Sequence, residues 1–270
     1  MDELDPKQLE QLRAAREKLH AKPLVSRNPA WRFCQFILCF GIVMPLLKIG
    51  LPLFLGLKIE NRKAFRQLKG QGYVIVCNHV HPMDCTMIGV AANPRHIIFT
   101  SQEETFYVRG LGLLLRLLNC VPVLTGMSGL RTFLDTMVEE LEQGRVVSVY
   151  PESEIDMCCD HLRKFSDGAF SMAVRAQVPV LPMVVTPREP TGFRKLFKRE
   201  YSMLLTVGEP IAPPKVEEGE SQKKTIHTLR DTTKSAMEIL LQNGGHAYPK
   251  EDLNNKDAFW QVKKSKGLKK

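Results

Sequence analysis

At 270 residues the chain is long enough to bury one substantial core with appendages, so it has no need of disulfide staples. A formal charge of +9 calls for anionic company; with aromatics at 7% and no ordered basic helix or stacking platform, nucleic acid is excluded in favour of a phosphorylated substrate or an acidic membrane surface. The seven cysteines are odd in number and several lie in apolar runs, which excludes a disulfide framework and points to reduced thiols on the cytoplasmic side.

The first twenty residues are charged, unlike a secretory signal, and predict a surface helix with Asp5 as N-cap, Pro6 at N1, Gln8 at N3 and a stripe of Leu9, Leu12 and Leu19. Phe33 to Leu57 follow as "FCQFILCFGIVMPLLKIGLPLFLGL", which has the length of a bilayer span but is interrupted by Gly41, Pro45, Lys48, Gly50 and Pro52. The interruptions favour two broken apolar helices sunk into one leaflet. Lys48 would then lie at the headgroups, with Trp31, Arg32, Lys58, Arg62 and Lys63 as anchors. A true span and helices packed on the domain's own core are the alternatives.

Beyond this point strand-like and helical runs alternate. Strands are predicted at 73–76, 96–99, 121–124, 145–150, 178–185 and 201–207, and helices at about 82–92, 110–119, 130–144, 168–176 and 221–242. The expected fold is α/β: a single domain over 58–243 with a central twisted, mostly parallel or mixed sheet flanked by helices. The apolar helical membrane anchor of 1–57 precedes it, and a basic tail follows over 244–270.

In such sheets chemistry gathers where strands end. Directly after the run "YVIV" stands "CNHVHPMDC" (77–85), which admits three readings. His79 and His81 form an H-x-H pair that could hold a metal, as in a metal-dependent hydrolase. His79 and Asp84 could instead form a dyad, with Pro82 at N1 of the next helix and Asp84 near N3, where helix amides favour a carboxylate that fixes the imidazole tautomer. The third reading is a polar turn. There is no G-x-S-x-G and no cysteine in a clear activating setting, so a His–Asp base would activate a substrate hydroxyl or water directly. Acyl transfer from a thioester suits that arrangement, because a thiolate leaves readily.

The segment "NHVHPMD" (78–84) resembles the first motif of the PlsC-type glycerolipid acyltransferases, the 1-acylglycerol-3-phosphate O-acyltransferase family. "VYPESEID" (149–156) stands where that family has a strand and P-E-G-T-R. "FSDGAFSMAVRAQVPVLPMVV" (165–185) and "VGEPI" (207–211) resemble its later helix and strands, so the resemblance covers 57–242. It implies that His79 deprotonates the acceptor hydroxyl and Asp84 orients it. It also implies an acyl-CoA or acyl carrier protein co-substrate, no metal or other cofactor, and membrane lipids as partners. Thr125, Glu152 and Ser153, at the positions of the second and third motifs, become substrate-binding candidates. Both family arginines associated with the acceptor phosphate are missing, since "NCVPVLT" (119–125) ends in Thr and Glu152 is followed by Ser153, Glu154 and Ile155. Arg163 is the candidate replacement, with Arg109, Arg116 and Lys164 as others, and a different lysophospholipid acceptor or a non-catalytic lipid-binding relative stays open.

Overall fold

The computed structural model describes residues 6–108, 110–157, 159–190, 201–215 and 221–244, without the side chains of 6–9. The expected cap at Asp5, the basic insertion, Arg109 and the lysine-rich tail lie outside the described residues.

Seven strands form one mixed sheet in the order β1-β7-β6-β2-β5-β3-β4. Five run parallel: β2 (Tyr73–Cys77), β3 (Ile97–Gln102), β4 (Cys120–Val123), β5 (Val146–Val149) and β6 (Val180–Arg188). β7 (Ser202–Val207) lies antiparallel to β6, and the three-residue β1 (Lys58–Glu60) pairs parallel with β7. The expected α/β fold is therefore present, with β1 as an edge strand too short to give a sequence signal.

β2 occupies the middle of the sheet and all five of its residues are buried, as a central parallel strand covered on both faces must be. Its side chains alternate between two cores. Val74 and Val76 join Val147 and Val184 under α6 (Met127–Glu142), α7 (Gly168–Ala176) and α8 (Gln222–Asn243). Tyr73, Ile75 and Cys77 join Leu181, Met183 and Leu205 under α4 (Asp84–Ala92) and the 3-10 turn Arg62–Leu68. α1 (Pro6–His20) docks through Leu19, which is buried, whereas Leu12 stays exposed, so the expected leucine stripe is only partly a packing face.

The apolar segment departs from the expected pair of broken helices. Pro29–Leu55 is one continuous helix of 27 residues that contains an 18-residue stretch of mean hydropathy 2.2, long and apolar enough to cross a membrane. Asn28 caps it by accepting from the N–H groups of Ala30 (2.9 Å) and Trp31 (3.3 Å). α2 (Pro29–Phe36) passes through a π-helical stretch, Ile37–Val43, into α3 (Met44–Gly50), and a second π stretch, Leu51–Leu55, ends at Gly56 in the left-handed region at φ 59°. Pro45 and Pro52 sit at the starts of new hydrogen-bonding registers, where the amide each lacks is not required, so they are absorbed instead of breaking the helix. Met44, Leu47, Leu51 and Leu55 pack on the α4 core, while Ile42, Leu46, Ile49, Leu53 and Phe54 are exposed.

Candidate active site

At the end of β2 the chain is aimed by Asn78. Its side chain, 2% exposed, donates from Nδ2 to Val185 O (2.9 Å) and accepts at Oδ1 from Val185 N–H (2.8 Å). This amide supplies an extra rung between β2 and β6 after the ladder itself has stopped. His79 follows immediately, and its carbonyl accepts from the Asp156 N–H (3.0 Å) in the loop after β5.

His79 Nδ1 lies 3.1 Å from Asp84 Oδ2. The same oxygen accepts from the N–H groups of Val80 and His81, both at 2.9 Å. Asp84 is fully buried, whereas the His79 side chain is about a quarter exposed. The helix begins later than expected: Met83 is its N-cap and Asp84 its first residue, not its third. The cause is local. Asp84 and His81 each satisfy amides of the loop, the His81 Nδ1 accepting from Met83 N–H at 3.1 Å, so residues 81–83 form a turn and Asp84 is held by loop amides in place of helix amides. Burial pushes the His81 imidazole below its ordinary value, against the opposing pull of Asp84. His79 and His81 thus use Nδ1 on different partners. Among the described residues the metal-type donors that converge are instead Cys159, Asp160 and His161.

The Tyr150 ring stacks on the His79 imidazole with centroids 4.1 Å apart and planes 14° from parallel. One hydrogen bond to Asp84 leaves the imidazole free to tilt about it, and the aromatic face removes that freedom. The Tyr150 hydroxyl is buried and has no hydrogen-bond partner, so the ring face is what this residue supplies. Tyr150→Phe should keep turnover within about twofold of the parent, whereas Tyr150→Leu should lower kcat about tenfold with little change in KM. Equal losses in the two variants would transfer the role to the hydroxyl.

A cavity of about 1270 Å³ opens beside His79. That exceeds the roughly 300–1,000 Å³ usual for small-molecule sites. Its lining runs from Phe40, Met44 and Leu47 of the N-terminal helix, past Gly89 and Phe99, to polar groups that include Gln102, Thr125 and Ser153. Two of its cysteines are poor nucleophiles: burial, with Asp84 nearby, pushes the Cys85 thiol up to about 11, and burial, with Cys85 nearby, pushes Cys120 up to about 12.

The expected substrate contacts divide. Ser153, with a left-handed φ of 66°, and Thr125 line the cavity. Glu152 and Arg163 do not. Arg163 donates to Glu152 Oε2 from Nε (3.4 Å) and Nη2 (3.3 Å), and to the Glu154 carbonyl, so its guanidinium ties the loop after β5 together. Arg116 donates from Nη1 to Pro23 O, while its Nη2 is buried without a partner and off the cavity lining. Among the described residues the cations on the cavity lining are Arg95 and Lys223, besides the histidines.

Glu103 was not singled out by the sequence, because "SQEETF" reads as a polar surface turn. It is 1% exposed and gathers donors from three elements: Thr125 N–H (2.5 Å) and Thr125 Oγ1 (2.7 Å) on Oε2, and the Tyr107 hydroxyl and His20 Nε2 (2.9 Å) on Oε1. Burial alone would raise this carboxyl; the hydrogen bonds from Tyr107, Thr125 and His20 outweigh it and bring the pKa down to about 2.

A family model described as "Acyltransferase" matches residues 56–186. The 1-acyl-sn-glycerol-3-phosphate acyltransferase of Bacillus subtilis is 27% identical over 165 residues, 61% of this chain and 78% of that protein. The human 1-acyl-sn-glycerol-3-phosphate acyltransferase beta is 31% identical over 137 residues, 48% of this chain and 47% of the human protein, so the chain spans about half the length of that relative. The crystal structure of the 1-acyl-sn-glycerophosphate (LPA) acyltransferase PlsC from Thermotoga maritima superposes with a TM-score of 0.54 at 20% identity, covering 87% of this chain and 88% of that one, a likeness of fold. The matched region holds the strand-end dyad, the loop after β5 and most of β6, so the family model and these relatives support assignment of the chain to the PlsC-type acyltransferases.

Proposed function

We propose that the chain transfers a fatty acyl group from a thioester, acyl-CoA or acyl carrier protein, to the hydroxyl of a lysophospholipid acceptor of the 1-acylglycerol-3-phosphate kind, as a step of phospholipid synthesis. The observation that carries this reading is the His79–Asp84 hydrogen bond at the wall of a lipid-sized cavity. With Asp84 accepting a hydrogen bond from Nδ1–H, Nε2 of His79 is left as the base. It takes the acceptor's hydroxyl proton as the oxygen attacks the thioester carbonyl; the C–S bond breaks, and the imidazolium returns the proton to the departing thiolate. The high thiol pKa values of Cys85 and Cys120 favour this direct transfer over an acyl-enzyme.

Glu152 and Ser153 remain in this reading as the loop that shapes the acceptor end, Thr125 as a hydrogen-bonding wall residue, and Arg163 as the cation that holds the loop. Of the cations on the described lining, Arg95 already donates from Nη2 to Leu68 O (2.7 Å), which leaves Lys223 as the one suited to an acceptor phosphate. The exposed flank of Pro29–Leu55 supports a seat at the membrane, and the thiols of Cys34, Cys39, Cys77, Cys85 and Cys120 suit the cytoplasmic face. Purified protein given acyl-CoA and a panel of lysolipids should release free thiol, with the product lipid identified by mass spectrometry. Release no greater than that of a His79→Ala protein, with both CoA and carrier-protein donors, would remove the reading.

A further inference from the structure

A helix that is apolar all round belongs either in a protein interior or in lipid. α5 (Leu111–Leu117, LGLLLRL) is such a helix, yet it is not enclosed. On its inner flank Leu115, with Leu118 just beyond its end, lines the cavity. On its outer side Leu113 is 57% exposed and Leu114 46%, with Val108 shortly before them at 57%. Its one charge, Arg116, turns its guanidinium back to the carbonyl of Pro23 at 3.0 Å, which leaves the outer flank apolar.

The helix is firmly placed. A Cβ on Gly112 would stand 2.5 Å from the Phe106 carbonyl oxygen, so glycine lets α5 press directly on the preceding 3-10 turn. At its other end Gln35 Nε2 donates to Arg116 O at 2.6 Å and Cys39 Sγ to Leu117 O at 3.6 Å. Those two donors lie on the helix Pro29–Leu55, beside its exposed Phe33, Phe36 and Ile37. The two outward apolar faces therefore meet where the two helices are hydrogen-bonded.

We infer that α5 is a second lipid-seated element, its outer flank in the same phospholipid leaflet as the helix Pro29–Leu55 and its inner flank forming a cavity wall one helix thick. The inference rests on the membrane seat given under Proposed function. Substrates with long chains then reach the cavity sideways from the leaflet, past α5, without crossing water.

Depth-dependent fluorescence quenching tests this in the full chain. With Trp31 and Trp260 changed to Phe, a single tryptophan is introduced as Leu114→Trp, Ile49→Trp or Glu142→Trp, and each protein is mixed with vesicles of brominated phosphatidylcholine and phosphatidylglycerol. Quenching at 114 should match that at 49, and 142 should be quenched little. Quenching at 49 without quenching at 114 overturns the inference; quenching at neither position removes the membrane seat itself. An unquenched 114 whose emission shifts to the blue with protein concentration would mean that a second copy covers the face, and also overturns it. As an independent readout, Leu113→Glu with Leu114→Glu should lower turnover of vesicle-borne acceptor about tenfold and leave a water-soluble short-chain pair within about twofold. Equal losses on both substrates would show a damaged cavity wall and count against the inference.

Discussion

Replacing His79 with alanine should lower thioester turnover by about 10²–10⁴-fold, the range that a positioned base supplies. Asp84→Asn should cost nearly as much, for a different reason. Asp84 Oδ2 accepts from His79 Nδ1 and from the amides of Val80 and His81, so an alanine there would also loosen the loop. Asparagine fills the same space and can still accept from the amides through its oxygen. Its NH₂ group, however, can face His79 Nδ1 only as a donor, which favours the tautomer with the proton on Nε2, where the base is needed. Thiol release measured beside a thermal melt separates chemistry from folding: an Asp84→Asn protein that melts normally and turns over at the parent rate would reduce Asp84 to a loop-builder.

The second large effect falls on stability. Glu103→Gln removes a buried carboxylate that accepts from Thr125, Tyr107 and His20, and should destabilise the fold by about 2–3 kcal/mol at neutral pH. The sign of the pH dependence follows from a folded-state pKa of about 2 against an ordinary 4.5. A depressed carboxyl stabilises the fold fully above its unfolded pKa and loses that contribution as pH falls through the folded value. The parent's advantage over Glu103→Gln in urea melts should therefore be largest at pH 7, be smaller at pH 3 and vanish near pH 2. An advantage that grew on acidification would mean that Glu103 folds protonated.

These two cases also mark how far local pattern reaches. His79 and Asp84 are five residues apart, at the end of an apolar run and the start of a helix, so their partnership is visible in a short window. The alternating strands and helices of the sheet were legible for the same reason. Glu103 meets His20 across 83 residues and Thr125 across 22, and nothing in "SQEETF" marks which acid is buried. The helix Pro29–Leu55 misleads in the opposite way: Pro45 and Pro52 advertise breaks that a change of hydrogen-bond register removes. Arg163 looked available because its charge was read without its partner, Glu152, eleven residues back on a loop whose turn depends on the left-handed Ser153.

The grip of Asn78 on β6 is of another kind again, since both of its hydrogen bonds go to the backbone N–H and C=O of Val185 and neither to the side chain. Residue 185 is therefore free to drift among apolar types that fit its core, and only proline, which has no N–H, is forbidden by the contact. No compensating change at 78 follows from that drift. The coupling across 107 residues that aims His79 is thus one that correlated substitutions between homologues would fail to register, however many sequences were compared.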